Sequence, residues 1–301
     1  MELSDLILII LVNILTLIVT FFIFYKRSKK LIYKYFDKSK KENQEFIKYV
    51  GNIENRLKKE IKVDKILLQT NNNLENSNSE NWALIVSFNR GELIKNLISD
   101  IKKFEKDIKI IVIDNGSKSD TINILTEMKL NFLIDLLILN TNNLTPQWQK
   151  SYAIYQGIEL LKMREIYTLT IFDDDINVQS NWINSAKVIL DTNKDIKIAN
   201  FMDDDEQEKV HKTIEVREVN SNGTLIKFKV KETFNGAFFC LEFSTLLQMG
   251  YPPIAEGISD SSVEDWYYSR ILKSNNWLIA SLDHSKHLGY DNSIRESIGK
   301  E

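Results

Sequence analysis

Three consecutive carboxylates, Asp173 to Asp175, are the residues of this sequence best suited to chemistry. They follow the apolar run Ile166 to Phe172, whose β-branched and aromatic residues predict a buried strand. Carboxylates this close repel one another and raise one another's pKa unless a cation lies among them. Mg²⁺ prefers oxygen ligands and is usually shared between one or two carboxylates and substrate phosphates. The cluster therefore predicts a site for Mg²⁺ or Mn²⁺ with a diphosphate.

Strands and helices alternate along the part of the chain that must position this cluster. Apolar runs predict strands at 82–88, 108–113, 133–139 and 166–172. Helices are predicted at 121–129, 151–163, 182–190 and 263–272, and an earlier one carries Leu93, Leu97 and Ile101 on one face. This alternation predicts an α/β domain with a mostly parallel sheet.

Polar clusters follow three of the predicted strands. They are Ser87 to Arg90, Asp114 to Ser117, and the three aspartates. Ligands of open α/β sheets bind beyond the carboxyl ends of the strands, so we expect these clusters to converge on one site. A second acidic run, Asp203 to Glu206, also follows an apolar stretch but comes later in the chain, and we interpret Asp203 to Asp205 as a solvated loop.

The N-terminus predicts a single membrane-spanning helix over residues 1–25. Residues 6–25 contain no charged side chain. A run of about 20 such residues is the length that a helix needs to cross a bilayer. A cleaved signal peptide is the alternative, but it would need a basic start, and Glu2 and Asp5 precede the apolar run. Lys and Arg follow the run and none precedes it, so the positive-inside rule predicts a catalytic domain in the cytoplasm.

Residues 26–70 predict a helical or coiled-coil stalk, because apolar residues recur there at three- and four-residue steps. This stripe fits self-association into a homo-oligomer, and it fits equally an amphipathic helix that lies on the catalytic domain or on anionic lipid. The polar stretch 71–80 predicts a linker, and the globular domain is expected at 81–301.

Composition narrows the choice of compartment and partner. The formal net charge is −3, which implies no basic face for nucleic acid. The single cysteine, Cys240, lies in an apolar run and predicts a buried thiol in a reducing compartment.

The motifs, taken in order, resemble the nucleotide-sugar half of GT-A fold glycosyltransferases and are closest to the family 2-type group. The resemblance is carried by Ile85 to Arg90, Ile111 to Asp120, Phe172 to Asp175 and Ser262 to Trp266, with Arg270 following. It implies a mixed, mostly parallel sheet flanked by helices, here preceded by the membrane helix and the stalk.

On the donor side, the resemblance implies binding of a nucleotide-sugar, with a UDP-sugar favoured. Asp114 matches the acidic residue that binds the base, Asp173 is expected on the ribose or a metal-bound water, and Asp175 is expected to ligate Mn²⁺ or Mg²⁺. Further contacts with the donor are expected from Ser87, Asn89, Arg90 and Lys150, and His287 is expected to complete the metal shell. The segment 142–151 departs from the Gly-rich, Arg-containing pattern of the family, which leaves the sugar undefined.

On the acceptor side, Asp265 matches the family's catalytic base for an inverting transfer. Glu264 belongs to the same Glu-Asp motif, Trp266 could stack on a sugar, and Gly236 matches a small-residue segment between the donor and acceptor subsites. The alternative for the two acids is that they stabilise the start of a helix, where the dipole favours carboxylates.

The resulting hypothesis is a membrane-anchored, metal-dependent glycosyltransferase acting on a surface-glycan or lipid-linked acceptor. Two alternatives stay open at this point: a nucleotidyltransferase of related fold and a non-catalytic tethered scaffold. Asn89 to Glu92 is too short and too acidic for the Gly-rich phosphate loop that a nucleotidyltransferase would carry.

Overall fold

The computed structural model describes residues 65–69, 80–140, 149–202, 205–221, 223–252, 263–283 and 285–287. Within these ranges no helix has both the length and the apolar character needed to cross a bilayer. The predicted membrane helix, most of the predicted stalk and most of the predicted linker lie outside them, so those three predictions stay predictions.

The described chain alternates strands and helices as the sequence predicts. The strands are β1 Lys65–Gln69, β2 Asn81–Ser87, β3 Lys109–Asp114, β4 Leu136–Asn140, β5 Thr168–Asp173, β6 Ile176–Val178, β7 Ile196–Asn200, β8 Thr213–Ser221, β9 Thr224–Lys231, β10 Phe238–Glu242, β11 Leu278–Ser281 and β12 Ser285–His287. The helices are α1 Gly91–Phe104, α2 Ser119–Leu130, α3 Gln149–Leu161, α4 Trp182–Thr192, α5 Asp205–Val210, α6 Phe243–Met249 and α7 Val263–Ser274.

The described strands form one large mixed sheet in the order β1-β4-β3-β2-β5-β10-β7-β11-β9-β8. Its centre, β4-β3-β2-β5, is parallel, and β10 inserts antiparallel between β5 and β7. A small second sheet pairs β12 with β6. The prediction of a mixed α/β sheet with flanking helices is confirmed, and the parallel centre brings the carboxyl ends of β2, β3 and β5 to one edge.

One segment of the predicted helical stalk is a strand. Lys65–Gln69 pairs antiparallel with β4, with Leu67 opposite Ile138. The run Ile66 to Leu68 is apolar, and β4 would otherwise present an unpaired edge. The stalk prediction is therefore wrong for these five residues, because pairing with a sheet edge cannot be read from local helical spacing.

The core beneath the carboxyl edge is aromatic. Phe172, which precedes the three aspartates, stacks on Phe238 with ring centroids 4.5 Å apart. Trp182 at the start of α4 meets Phe172 edge to face at 5.4 Å, and Phe201 packs on Phe238 at 4.8 Å. All four side chains are buried, so β5, β7, β10 and α4 are held together directly below the acidic cluster.

Replacing Trp182 by Ala tests this support. The fully buried indole should leave a cavity, and the free energy of unfolding in urea should fall by about 3–5 kcal/mol. Trp266→Ala is the matched control, because that side chain is 52% exposed and its loss should cost roughly 1 kcal/mol or less. Equal losses for the two variants would contradict this account of the core.

Candidate active site

The loops that follow β2 and β5 are joined through Asp174. The backbone N–H of Phe88 donates to Asp174 Oδ2 at 3.1 Å, and Arg90 Nη1 lies 2.9 Å from Asp174 Oδ1 and 2.8 Å from Asp175 Oδ2. Burial alone would lower the pKa of Arg90, but the charges of Asp174 and Asp175 outweigh it and raise that pKa. The middle aspartate, for which the sequence suggests no role, therefore anchors the first loop to the third.

Burial also raises the pKa of Asp174 to about 7, against the opposing pull of Arg90 and of the Phe88 N–H. Both carboxylates on the guanidinium have side chains only 7% exposed. Arg90, expected as a donor contact, thus serves first as the counter-ion that allows two neighbouring acids to be buried.

The loops after β2 and β3 are joined through Ser117. The N–H of Asn89 donates to Ser117 Oγ, and the N–H of Lys118 donates to Asn89 Oδ1, both at 2.8 Å. Ser117 in turn donates to both carboxylate oxygens of Asp114. Asn89 has a φ of 54°, in the left-handed region, and these contacts hold it there.

Asp114 is completely buried, and burial raises its pKa despite the hydrogen bonds from Ser117. Its carboxylate organises the turn at the end of β3. Base binding by Asp114 stays a prediction.

Buried polar groups without partners lie beside Asp114. Within the part of the chain that the structure describes, both amide atoms of Asn115 and the Oγ of Ser87 have no hydrogen-bond partner, although both residues are fully buried. The N–H of Asn115 donates to the Ser87 carbonyl. Unsatisfied buried polar groups cost free energy, and at the carboxyl ends of two parallel strands they are suited to pairing with a ligand. The sequence places Asn115 in the polar cluster after β3 but assigns it no role of its own.

Lys150, at the start of α3, connects the donor and acceptor sides. Its Nζ lies 2.7 Å from Asp173 Oδ1 and 2.5 Å from Glu264 Oε1, and it donates to the carbonyl of Gly236 at 3.2 Å. Burial would lower the pKa of Lys150, but the surrounding carboxylates outweigh it and raise that pKa strongly. Lys150 is therefore a charged ammonium that contacts two carboxylates and one backbone carbonyl.

Asp265 lies in the first turn of α7 against the backbone of Gly236. A Cβ added to Gly236 would lie 1.6 Å from Asp265 Oδ1, so only glycine permits this approach. Within the described ranges, Oδ1 of Asp265 has no hydrogen-bond partner. Burial, and then the charge of Glu264, raise the pKa of Asp265 well above that of an ordinary aspartate, while Lys150 and a backbone hydrogen bond from Gly236 oppose them. The site thus holds a carboxyl group with a raised pKa in the field of the cation that binds Asp173.

The acidic cluster fits a divalent metal through Asp173. Its side chain is 27% exposed at the end of β5, in contrast to the two acids held by Arg90. Mg²⁺ and Mn²⁺ need only one or two protein carboxylates when phosphates and water complete the shell. No group of three metal-ligating side chains occurs within the described ranges. Ligation by Asp175 stays a prediction, and it would have to share that carboxylate with Arg90.

The remaining predicted residues lie at the rim of the site. The backbone of His287 on β12 pairs opposite Ile176, which directly follows the aspartates, while its side chain is outside the described part of the structure. Trp266 is exposed, and the guanidinium of Arg270 lies 4.8 Å from its ring centre.

Cys240 is buried as predicted, and burial raises its pKa to about 12.

The mixed sheet gathers acids, an ammonium and a guanidinium group at its carboxyl edge, where α/β proteins bind their ligands. The model of glycosyl transferase family 2 matches residues 82–246, which is more than half of the 301 residues. The chain belongs to this family, which confirms the resemblance seen in its motifs and disfavours the nucleotidyltransferase alternative.

Two solved structures are similar in fold. The mannosyltransferase PcManGT from Pyrobaculum calidifontis, in complex with GDP-Man and Mn²⁺, is 12% identical with a TM-score of 0.47, and the match covers 79% of this chain and 61% of that one. TarS of S. aureus is 17% identical with a TM-score of 0.45, covering 67% of this chain and 35% of that one. The chain spans less than two thirds of the length of either. Among curated proteins there is no match.

Gly236→Ala tests the position of Asp265. The new methyl group would occupy the place of Oδ1 and displace the carboxylate, so turnover should fall by about 100-fold or more, the scale expected on losing a general base. Gly223→Ala is the control: its Cβ would meet nothing within 4 Å, and its φ of +86° predicts a loss of roughly 1–2 kcal/mol in stability with turnover retained. Normal turnover of Gly236→Ala would contradict the placement.

Glu264→Gln tests the cause of the raised pKa of Asp265. With Asp265 as the predicted base, kcat/KM should fall as pH drops through this pKa. Removing the Glu264 charge lowers the pKa of Asp265 and should move the acid limb of the pH profile to lower pH. Stability has the opposite sign: because folding raises this pKa, the contribution of Asp265 to stability is lost as pH rises. An unmoved acid limb would show that Glu264 does not tune Asp265.

Proposed function

We propose that this protein transfers a sugar from a nucleotide-sugar, with UDP-sugars favoured, to a hydroxyl group of a glycan or lipid-linked acceptor. One observation carries the proposal: Asp265 has a carboxylate oxygen with no partner among the described residues, and it feels the charge of the same ammonium that binds Asp173. An inverting transfer requires a base close to the bound diphosphate. The acidic cluster at Asp173 is where a metal ion could hold that diphosphate.

The donor half of the proposal is supported by the buried polar groups that lack partners. The amide of Asn115 offers an acceptor for an imide N–H and a donor for the adjacent carbonyl, which together match the edge of uracil. Ser87 adds a hydroxyl at the end of the neighbouring strand. Other bases also present adjacent donor and acceptor groups. The choice of uracil among them rests on the resemblance of the motifs to the glycosyltransferase family.

The transfer would proceed by a single displacement. Asp265 takes the proton of the acceptor hydroxyl, the hydroxyl oxygen bonds to the anomeric carbon, and the bond between that carbon and the diphosphate oxygen breaks with inversion. When bound, Mg²⁺ or Mn²⁺ held by Asp173, with Asp175 and His287 as the further predicted ligands, would supply positive charge to the leaving diphosphate. Gly236 lets the base approach the site, and Trp266 offers an exposed aromatic face to a sugar.

Anchoring to a membrane is the second part of the proposal. The apolar run over residues 6–25 and the basic residues after it support a single span with the catalytic domain in the cytoplasm. An anchored enzyme and a lipid-linked acceptor would meet on one surface, which raises their effective concentration.

The test is a panel of UDP- and GDP-sugars with Mn²⁺ on the full-length chain, measured by thermal shift and by release of the nucleotide. UDP-sugars should stabilise the protein most, and a panel with no stabilising nucleotide-sugar would overturn the donor assignment.

Asp265→Asn tests the base in the same assay. It should bind the donor normally and transfer about 10²- to 10⁴-fold more slowly. Asp107→Asn, on an exposed turn, is the control and should be fully active. Full turnover of Asp265→Asn would exclude that residue as the base.

A further inference from the structure

Lys150 contacts carboxylates from both halves of the site. Its ammonium has three oxygen neighbours at 2.5 to 3.2 Å, from Asp173 on β5, Glu264 on α7 and the carbonyl of Gly236. It lies in the first turn of α3, where the helix dipole disfavours a positive charge. The carboxylates, and not the helix, therefore hold the ammonium in place.

The same carboxylate of Asp173 is the group that fits a divalent metal. A metal ion binds carboxylate oxygens at about 2.0–2.2 Å, and the ammonium already lies 2.7 Å from Asp173 Oδ1. Two cations on one carboxylate repel each other. Without an additional anion, the metal and Lys150 compete for Asp173.

We propose that Lys150 is an internal counter-ion that makes metal binding depend on the nucleotide diphosphate. In the free enzyme the ammonium neutralises Asp173 and Glu264, so the metal binds weakly. The diphosphate brings the negative charge that lets metal and ammonium occupy the site together. This inference rests on the proposed function only in taking the diphosphate from a nucleotide donor.

Through its contact with Glu264, the charge of Lys150 also acts on the acceptor side of the site. Glu264 is buried, with a side chain 3% exposed, and directly precedes Asp265. When the charge around Lys150 changes, the field at the base changes with it. Lys150 is thus a positioning residue that links occupancy of the donor site to the acceptor-side acids.

The experiment is a Mn²⁺ titration of the full-length chain, with and without UDP, following free Mn²⁺ by electron paramagnetic resonance. Lys150→Gln removes the charge and keeps a donor for Glu264 and Gly236. It should bind Mn²⁺ alone at least tenfold more tightly than the wild type does. With UDP bound, the diphosphate already compensates the Lys150 charge, so Mn²⁺ affinity should be the same in both proteins and the gain from adding UDP should shrink by the same factor.

Two variants control for charge and for position. Lys150→Arg keeps the positive charge and should behave as the wild type. Lys162→Gln removes an exposed lysine just beyond the other end of α3, whose partner is Glu159, and should leave Mn²⁺ binding unchanged.

Unchanged affinity of Lys150→Gln for Mn²⁺ alone would overturn the inference. Wild-type protein that binds UDP, yet binds Mn²⁺ equally well with and without it, would also overturn the inference, and this result needs no variant to fold. A failure of the donor assignment looks different: no nucleotide binds, while Lys150→Gln still gains Mn²⁺ affinity and the competition at Asp173 stands. If nucleotides bind with Mn²⁺ and Lys150→Gln gains nothing, the proposed function stands and the inference is wrong.

Discussion

The structure depends on concentrating negative charge at one edge of a sheet and neutralising it with two cations. The acids come from two distant parts of the chain: Asp173, Asp174, Asp175, Glu264 and Asp265. Arg90 holds two of them and Lys150 holds two others. Without these cations the cluster would repel itself, and burial would force its members to take up protons. The fifth acid, Asp265, has one oxygen without a partner among the described residues, which suits it to accept a proton.

Elements of the fold bring these charges together at defined positions. The parallel strands β2, β3 and β5 deliver three loops to one edge, and hydrogen bonds through Asp174 and Ser117 fix the loops to one another. The antiparallel strand β10 lies on the far side of β5, and the turn before it contains Gly236. That glycine leaves the space that Asp265 of α7 occupies. The aromatic core below packs these elements against one another.

Much of this could be predicted from the sequence. Apolar runs and helical spacing gave β2, β3, β5 and their helices, because such patterns reflect burial on one or both faces of an element. The order of polar clusters at the strand ends indicated a shared site, since parallel strands end at one edge. The family match supports the same conclusion.

Other features depend on contacts that no local pattern contains. Asp173, Asp174 and Asp175 are the same type of residue, and their sequence does not show which of them is buried. The contacts with Arg90 distinguish buried Asp174 and Asp175 from the partly exposed Asp173. The bridge made by Lys150 needs α3, β5 and α7 together, and β1 needs the open edge of β4. Nothing in sequence spacing fixes pairings across such distances along the chain.

The central claim is that the three strand-end loops and the start of α7 form one site for a nucleotide-sugar. Hydrogen–deuterium exchange of the full-length chain, with and without a UDP-sugar and Mn²⁺, measures this directly. The account predicts that amides in 87–91, 114–118, 173–176 and 264–266 gain protection together, at the same ligand concentration. Protection confined to other segments, or to one loop while the rest exchange as before, would contradict it.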